Sequence, residues 1–436
     1  MTRVWRRILV VVLVVVVAVV AAASFSLGAL AGEELVKLKV WIYPLWLIHS
    51  GPDKGMTNED WMQEKIEEFQ KKYPNVDVEL ELLSWEGGGQ KLTTAVASGT
   101  MPDIMYSVPV RVYAPKGVLE PIDEYLTESE RGQYYPNILK ELVIDGKLYA
   151  LPFCASSLVL SVNAELFEER GVPLPKDPDR SWTMDEFLDA AKKLTFDRDG
   201  DGRTDVYALG LNGKPAYWAM SFAFAFGGRL FNEDGSRFTF NTPEGLEGLQ
   251  FMYDLVFKYK VVAPGVPGYN IADVWDLFVQ RRIAMVPSSS ILVNYVAGMR
   301  KPLKLVFVQF PHVKGKDPVT MLTVAGWSVF KQKDPYKRMV AMEFIKYLTN
   351  PENSKAAALM KYGPANRLSG NPFENDPNLS VVALYAKYAE VYIKANKPEM
   401  EEVVNNIWSA VYSRAMTPKQ AIEYAEQRAK AILGYR

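Results

Sequence analysis

The chain has 436 residues, 50 basic against 51 acidic side chains for a formal net charge of −1, one cysteine and two histidines. That length exceeds one ordinary core and makes two lobes of roughly 150 to 200 residues each the default. Interspersed charge leaves no basic footprint for nucleic acid. His49 and His312 alone are too few for histidine-rich metal sites or most histidine-dependent catalysis.

Arg3, Arg6 and Arg7 precede an unbroken apolar run from Ile8 to Ala23 and a small-residue stretch from Ser24 to Ala31. This is the layout of an export signal, which makes the protein periplasmic or cell-surface. Ala29-Leu30-Ala31 satisfies the small-x-small rule and puts cleavage after Ala31, while the apolar run is also long enough to stay as an uncleaved anchor. Residues 1–31 are therefore a signal peptide or an N-terminal membrane anchor. Cys154 lies far from this segment, so it carries neither a lipid nor an intrachain disulfide, and packing alone holds the fold.

Val36, Leu38, Val40 and Ile42 alternate with Lys37, Lys39 and Trp41, which predicts a strand. Met62, Ile66, Phe69 and Tyr73 recur at helical spacing from Glu59 to Tyr73, and Pro74 ends that helix before Val76, Val78, Leu80 and Leu82 alternate again. A second helix spans Gln90 to Ser98, closed by Gly99, and Pro102 to Tyr106 is the next short strand. Alternating strand and helix predict an α/β sheet. Ser181 or Thr183 caps a helix carrying Phe187 and Leu188, and Thr242-Pro243-Glu244 opens another. Pro335 to Leu348 is a third amphipathic helix, the final third is mostly helical, and there is no internal repeat.

Asp197-Arg198-Asp199-Gly200-Asp201-Gly202-Arg203-Thr204-Asp205 reproduces positions one, three, five, six and nine of an EF-hand-type calcium loop, with the Arg203 carbonyl placed for position seven. Position twelve is Ala208 in place of the bidentate glutamate. The loop either holds a structural Ca2+ or is a metal-free acidic turn, with no catalytic duty in either case. No organic cofactor is implied. The chain has no His-Glu-x-x-His, no Gly-x-Ser-x-Gly elbow, no phosphate-binding glycine loop and no Cys-His pair.

Nine segments in order carry a resemblance. They are Phe69 to Pro74, Ala97 to Ile104, Gly146 to Phe153, Asn163 to Phe167, Ser181 to Phe187, the Gly227-Gly228 turn, Phe278 to Met285, Ala325 to Val329 and Ala341 to Leu348. Together they resemble the family 1 extracellular solute-binding proteins, which include maltose-binding and related sugar-binding proteins. The resemblance implies an α/β, two-lobed periplasmic-binding-protein type II fold, each lobe a mixed β-sheet flanked by helices, with a hinge and an interlobe cleft. Its expected division is 33–152 plus 303–335 for the N-terminal lobe and 153–302 plus 336–436 for the C-terminal lobe. The implied function is that of a monomeric receptor that captures a carbohydrate and delivers it to the transmembrane permease of an ABC importer, with no enzymatic step. Two alternatives stand beside it: the same receptor for a non-sugar solute, and a secreted glycoside hydrolase, which needs two carboxylates facing one bond.

Sugar sites combine aromatic platforms with polar side chains. Trp46, Trp85, Tyr217, Trp218, Trp275 and Trp327 lie in or beside predicted loops and either line a cleft or fill the cores. Tyr43, Trp46, Trp85 and Glu86 follow the first two strands, where cleft loops are expected. Asp103 resembles the family's strand-end carboxylate, a cap or turn being its other reading. Trp327 occupies the family's Gly-Gly-Trp position with Ala325 replacing the first glycine, and Arg367 matches a late basic residue that is ligand-facing in some relatives and solvated otherwise. Two departures point away from an ordinary maltose-like disaccharide: Ser156 replaces an aspartate, and Pro287 to Ser290 replaces a Gly-x-Trp step, leaving Ser288 among hydroxyls that face ligand or solvent.

Overall fold

A computed structural model describes residues 35–46, 54–176, 180–297, 299, 301–376, 378–380, 382, 389–391 and 395–436. The leader at 1–31 and His49 lie outside the described residues.

Strand β1 (Val36–Ile42) begins with alternating burial because Val36 and Leu38 face the core while Lys37 and Lys39 face water. Helix α1 (Asn58–Lys72) starts under a reciprocal cap between Thr57 and Asp60 and buries Trp61, Met62, Ile66 and Phe69. β2 (Val76–Leu82) then runs parallel to β1 over its whole length. α2 (Gly88–Ser98) ends at Gly99, whose φ of 69° is the left-handed conformation that glycine adopts freely. β3 (Ile104–Tyr106) pairs with the other side of β1. After α3 (Pro136–Leu142), β4 (Leu151–Ser157) passes through Leu158 directly into β5 (Val159–Asn163).

The next elements are α4 (Met184–Lys193), β6 (Tyr207–Leu209), α5 (Tyr217–Phe224), α6 (Pro243–Phe257), α7 (Ile271–Val279), β7 (Ile283–Ser288), α8 (Leu292–Ala297) and β8 (Leu305–Val308). Thr183, paired with Glu186, is the α4 cap. The chain returns through β9 (Thr320–Val329), α9 (Pro335–Leu348) and β10 (Gly363–Pro364), then β11 (Ala389–Val391), α10 (Glu399–Tyr412) and α11 (Pro418–Leu433).

Among the described residues two large sheets result, each with its own core, beside a two-stranded one of Val143–Ile144 and Lys147–Leu148. The first has the order β10-β4-β9-β3-β1-β2, with β11 added to β9; the second has the order β8-β5-β7-β6. The fold is therefore two-lobed α/β. The expected division is corrected at each crossing. Phe153 to Ser157 still belong to the first sheet, so the first crossing falls at Leu158 rather than after 152. Leu305–Val308, expected in the first lobe, pairs with β5, and Phe310 lies in the second core. Helix α9, expected in the second lobe, packs in the first, where Phe344 meets Phe69 edge-on at 4.8 Å, and that core continues to Ala365. Amphipathic periodicity shows that such a helix has a buried face but not which sheet receives it.

β9 is paired on both sides and bulges between Ala325 and Gly326. Gly326 is obligatory there, since an added Cβ would lie 2.2 Å from the Leu151 carbonyl oxygen. Gly326→Ala is expected to lower unfolding free energy by about 1–3 kcal/mol, read as a reduced denaturant midpoint at unchanged slope. An unaltered midpoint would mean that the backbone yields there without cost.

Candidate functional site

Strand direction fixes where the lobes meet. β1, β2 and β3 are parallel, and β4 shares their direction because both β3 and β4 are antiparallel to β9. Since β4 runs straight into lobe two, the carboxyl ends of all four strands point toward it. In lobe two, β7 is antiparallel to β5 and β6 is parallel to β7, so their carboxyl ends point back. Ligands of open α/β sheets bind outside the carboxyl ends of strands.

On lobe one these ends carry Tyr43, Trp46, Trp85 and Glu86. Tyr43 and Trp85 stack with ring centroids 4.2 Å apart and planes 11° apart. Trp85 is 60% exposed, yet its indole N–H donates to Pro44 O at 2.9 Å, so an apolar plate is held rigid in water. Gly88 makes room for it, because a Cβ there would lie 2.6 Å from the Tyr43 ring. Burial raises the Tyr43 hydroxyl above its ordinary pKa. Trp46 is buried edge-on against Trp61, and its indole N–H has no partner among the described residues. Glu86 is exposed.

On lobe two, Tyr217 stacks on Trp218 at 5.2 Å, Trp218 meets Trp275 edge-on at 6.0 Å, and Trp275 packs on Tyr295 at 5.6 Å. Burial raises the Tyr217 hydroxyl, with Tyr362 of lobe one adding to the shift. Trp275 Nε1 and Asn212 Oδ1 are buried and lack hydrogen-bond partners among the described residues.

Several of the contacts between the lobes are made by uncharged side chains. Ser156 Oγ lies 3.3 Å from Ser290 Oγ, Ser289 Oγ lies 3.2 Å from Tyr362 Oη, and Asn294 Nδ2 donates to Leu359 O at 2.9 Å. Tyr362 and Asn294 were not singled out in the sequence. The only signal for Tyr362 was its place directly before the Gly363-Pro364 segment.

Three expectations are corrected. Asp103 precedes β3, at the end opposite the cleft, and its oxygens accept from Lys39 N at 2.7 Å and pair with Lys337 Nζ at 2.9 Å. It is a structural clamp, 6% exposed. Trp327 is 2% exposed within β9, edge-on to Tyr106, so no ligand can stack on it. Ser288 is wholly buried and its hydroxyl pairs with Ser161 inside the second sheet. Arg367 is exposed with its guanidinium over the Tyr135 ring at 5.7 Å, beside α3.

In the acidic loop, one carboxylate oxygen from each of Asp197, Asp199 and Asp205 lies within 4.8 Å of the others. Asp197 accepts from Gly200 N and Gly202 N, both at 2.6 Å, and the Gly202 bond leads the causes that hold its carboxyl below the ordinary range. Asp201 stands outside this grouping and accepts from Arg203 N at 2.8 Å. Ala208 is buried within β6 and offers no oxygen from its side chain.

Residues 54–355 match the family described as bacterial extracellular solute-binding protein. The chain belongs to this family. Among relatives of this solute-binding protein, the maltotriose-binding protein of Pyrococcus abyssi is 25% identical over 351 residues, covering 76% of this chain and 69% of that one. A Brucella abortus binding protein is 29% identical over 260 residues, covering 58% of this chain and 59% of its own length. The match thus spans under two thirds of that relative. Among solved structures, an ABC substrate-binding protein of Listeria monocytogenes in complex with cycloalternan superposes with a TM-score of 0.75 at 22% identity, covering 93% of this chain and 100% of that one. A Thermotoga lettingae ABC transporter solute-binding protein bound with alpha-D-tagatose gives 0.73 at 26% identity, covering 92% and 100%. Among the described residues of this solute-binding protein, no helix is long and apolar enough to cross a membrane.

Cys154 is fully buried with Tyr106 Oη 3.3 Å from its sulfur, and desolvation pushes the thiol up to about 12. The thiolate is the reactive form, so it is absent at pH 8. The native protein should leave a disulfide reagent unreacted at pH 8 and release one equivalent of chromophore only in denaturant. Prompt reaction of the folded protein would contradict this burial.

Proposed function

We propose that this chain is the exported receptor of an ABC importer, that it closes its two lobes on a sugar or oligosaccharide, and that it hands the ligand to a membrane permease without chemical change. It acts as a monomer, and residues 1–31 direct its export and are then cleaved or kept as an anchor. The observation that carries this reading is an aromatic group on each lobe beside the strand ends, above all the exposed Trp85 plate on Tyr43 in lobe one, with Tyr217, Trp218 and Trp275 in lobe two. Sugar C–H faces pack on such rings, while hydroxyl edges take hydrogen bonds. A ligand that touches both lobes binds the closed state best and shifts the population toward it. The names of sugar-binding relatives and the tagatose-bound structure support the substrate class.

The test is a thermal-shift screen of mono-, di- and oligosaccharides with polyamines as controls. A ligand present at a hundredfold excess over its Kd stabilises by about 2.7 kcal/mol. Trp85→Ala should weaken the selected sugar at least tenfold, whereas Asp103→Ala should lower the melting temperature and leave affinity intact. A shift by polyamines alone would sink the sugar assignment and keep the receptor, and turnover of a glycan would sink the receptor.

We also propose that Ca2+ binds the Asp197, Asp199 and Asp205 carboxylates, with the Arg203 carbonyl as a further oxygen, and pins that loop. Hard oxygen donors on a glycine turn suit this ion. Millimolar calcium should raise the melting temperature of the wild type and leave that of Asp199→Ala unmoved; equal melting with calcium and with chelator would remove the ion from the account.

A further inference from the structure

A cavity of about 420 Å³ lies beside β10, the edge strand of the lobe-one sheet. Its volume is that of a small-molecule site. Ile138 of α3, Leu322 of β9, Pro364 of β10, and Phe373 and Leu379 make its walls largely apolar. None of Tyr43, Trp85, Tyr217, Trp218 and Trp275 lines it, so it is separate from the aromatic strand ends. Phe373 and Leu379 also pack with Val159 and Phe307 of lobe two, so one wall is a segment that passes between the lobes.

Two polar groups mark the cavity. Ser157 is 1% exposed and lines it, and its hydroxyl has no hydrogen-bond partner among the described residues. A buried hydroxyl left unpaired costs free energy that a ligand acceptor would restore. Lys361 lines the same space and supplies positive charge. Ser156, the remaining serine on this wall, already has Ser290 as its partner.

From these observations we infer that the cavity is a second binding site, for a small aliphatic carboxylate whose chain lies on the apolar walls and whose head group accepts from Ser157 and Lys361. Because its walls belong to lobe one and to the crossing segment, occupancy is linked to the relative position of the lobes, and the linkage is reciprocal. The site does not depend on the sugar assignment.

Octanoate is the probe, titrated calorimetrically into the purified protein without sugar, with 1-octanol as the uncharged counterpart. Gly363 lines the cavity, and a Cβ there would meet only Ala155 O at an ordinary 3.6 Å, so Gly363→Leu is the space-filling variant. Saturable one-site octanoate binding is expected, weakened at least tenfold in Gly363→Leu. Absence of saturable binding, or equal binding by that variant, would overturn the site. Should Gly363→Leu fail to melt cooperatively, Ser157→Ala carries the test: it must weaken octanoate at least threefold while sparing 1-octanol. Equal affinity of Ser157→Ala and wild type for octanoate would overturn the head-group contact and the proposal with it.

Discussion

The two-lobed arrangement depends on how the chain leaves one sheet for the other at Leu158. A backbone that leaves a sheet in the buried interior must find partners for its amide and carbonyl. Here Leu158 N donates to Met321 O at 2.9 Å, and the Thr320 hydroxyl donates back to Leu158 O. Thr323 adds a third link, to Ser156 O at 3.0 Å. With the crossing satisfied, β4 continues into β5 without a turn, and the direction of every other strand is inherited from that continuity. The meeting of carboxyl ends at one place is a consequence of this single passage.

Much of the order of elements was legible because local signals were strong. The βαβ start, from Val36 to Leu82, was read from alternation, helical spacing and the Pro74 stop, and Pro335–Leu348 was read to the residue. What the sequence could not show was tertiary choice. Leu305–Val308 is a short apolar run that either sheet could accept, and only its pairing with Ser161 and Val162 assigns it to lobe two. The same limit applied to α9, whose apolar stripe says nothing about its partner.

The site was legible by region and less so by residue. Trp85 and Trp327 look alike in sequence, each an aromatic in or beside a predicted loop, yet one is 60% and the other 2% exposed. The difference is that Trp85 follows its strand and Trp327 lies within one, opposite Tyr106 and Leu151. Asp103 was similarly deceptive: its place next to a strand was correct, but it stands at the amino end, where Lys337 of α9 neutralises it. The serine run was noticed, but only the fold separates Ser288, turned into its own sheet, from Ser289 and Ser290, turned to lobe one.

The chemistry of those lobe contacts bears on how the lobes can move. A neutral hydrogen bond contributes about 0.5–1.5 kcal/mol net, since water replaces it on opening. Among the described residues the charged contacts between the lobes are Lys140 with Glu233, Arg111 with the Glu233 carbonyl, and Arg229 with Glu390 of β11; the first is exposed on both sides and worth about 0–1 kcal/mol. Their sum is of the same order as the roughly 5.5 kcal/mol of differential affinity that moves a two-state equilibrium from 1:99 to 99:1. Buried ion pairs or a large apolar face at Ser289 and Ser290 would hold the lobes beyond the reach of a ligand. Hydroxyls and one amide hold them weakly but with direction, because Ser156, Tyr362 and Leu359 O must all be met at once. The seam therefore specifies which closed arrangement forms, and leaves it to the ligand to decide whether it forms.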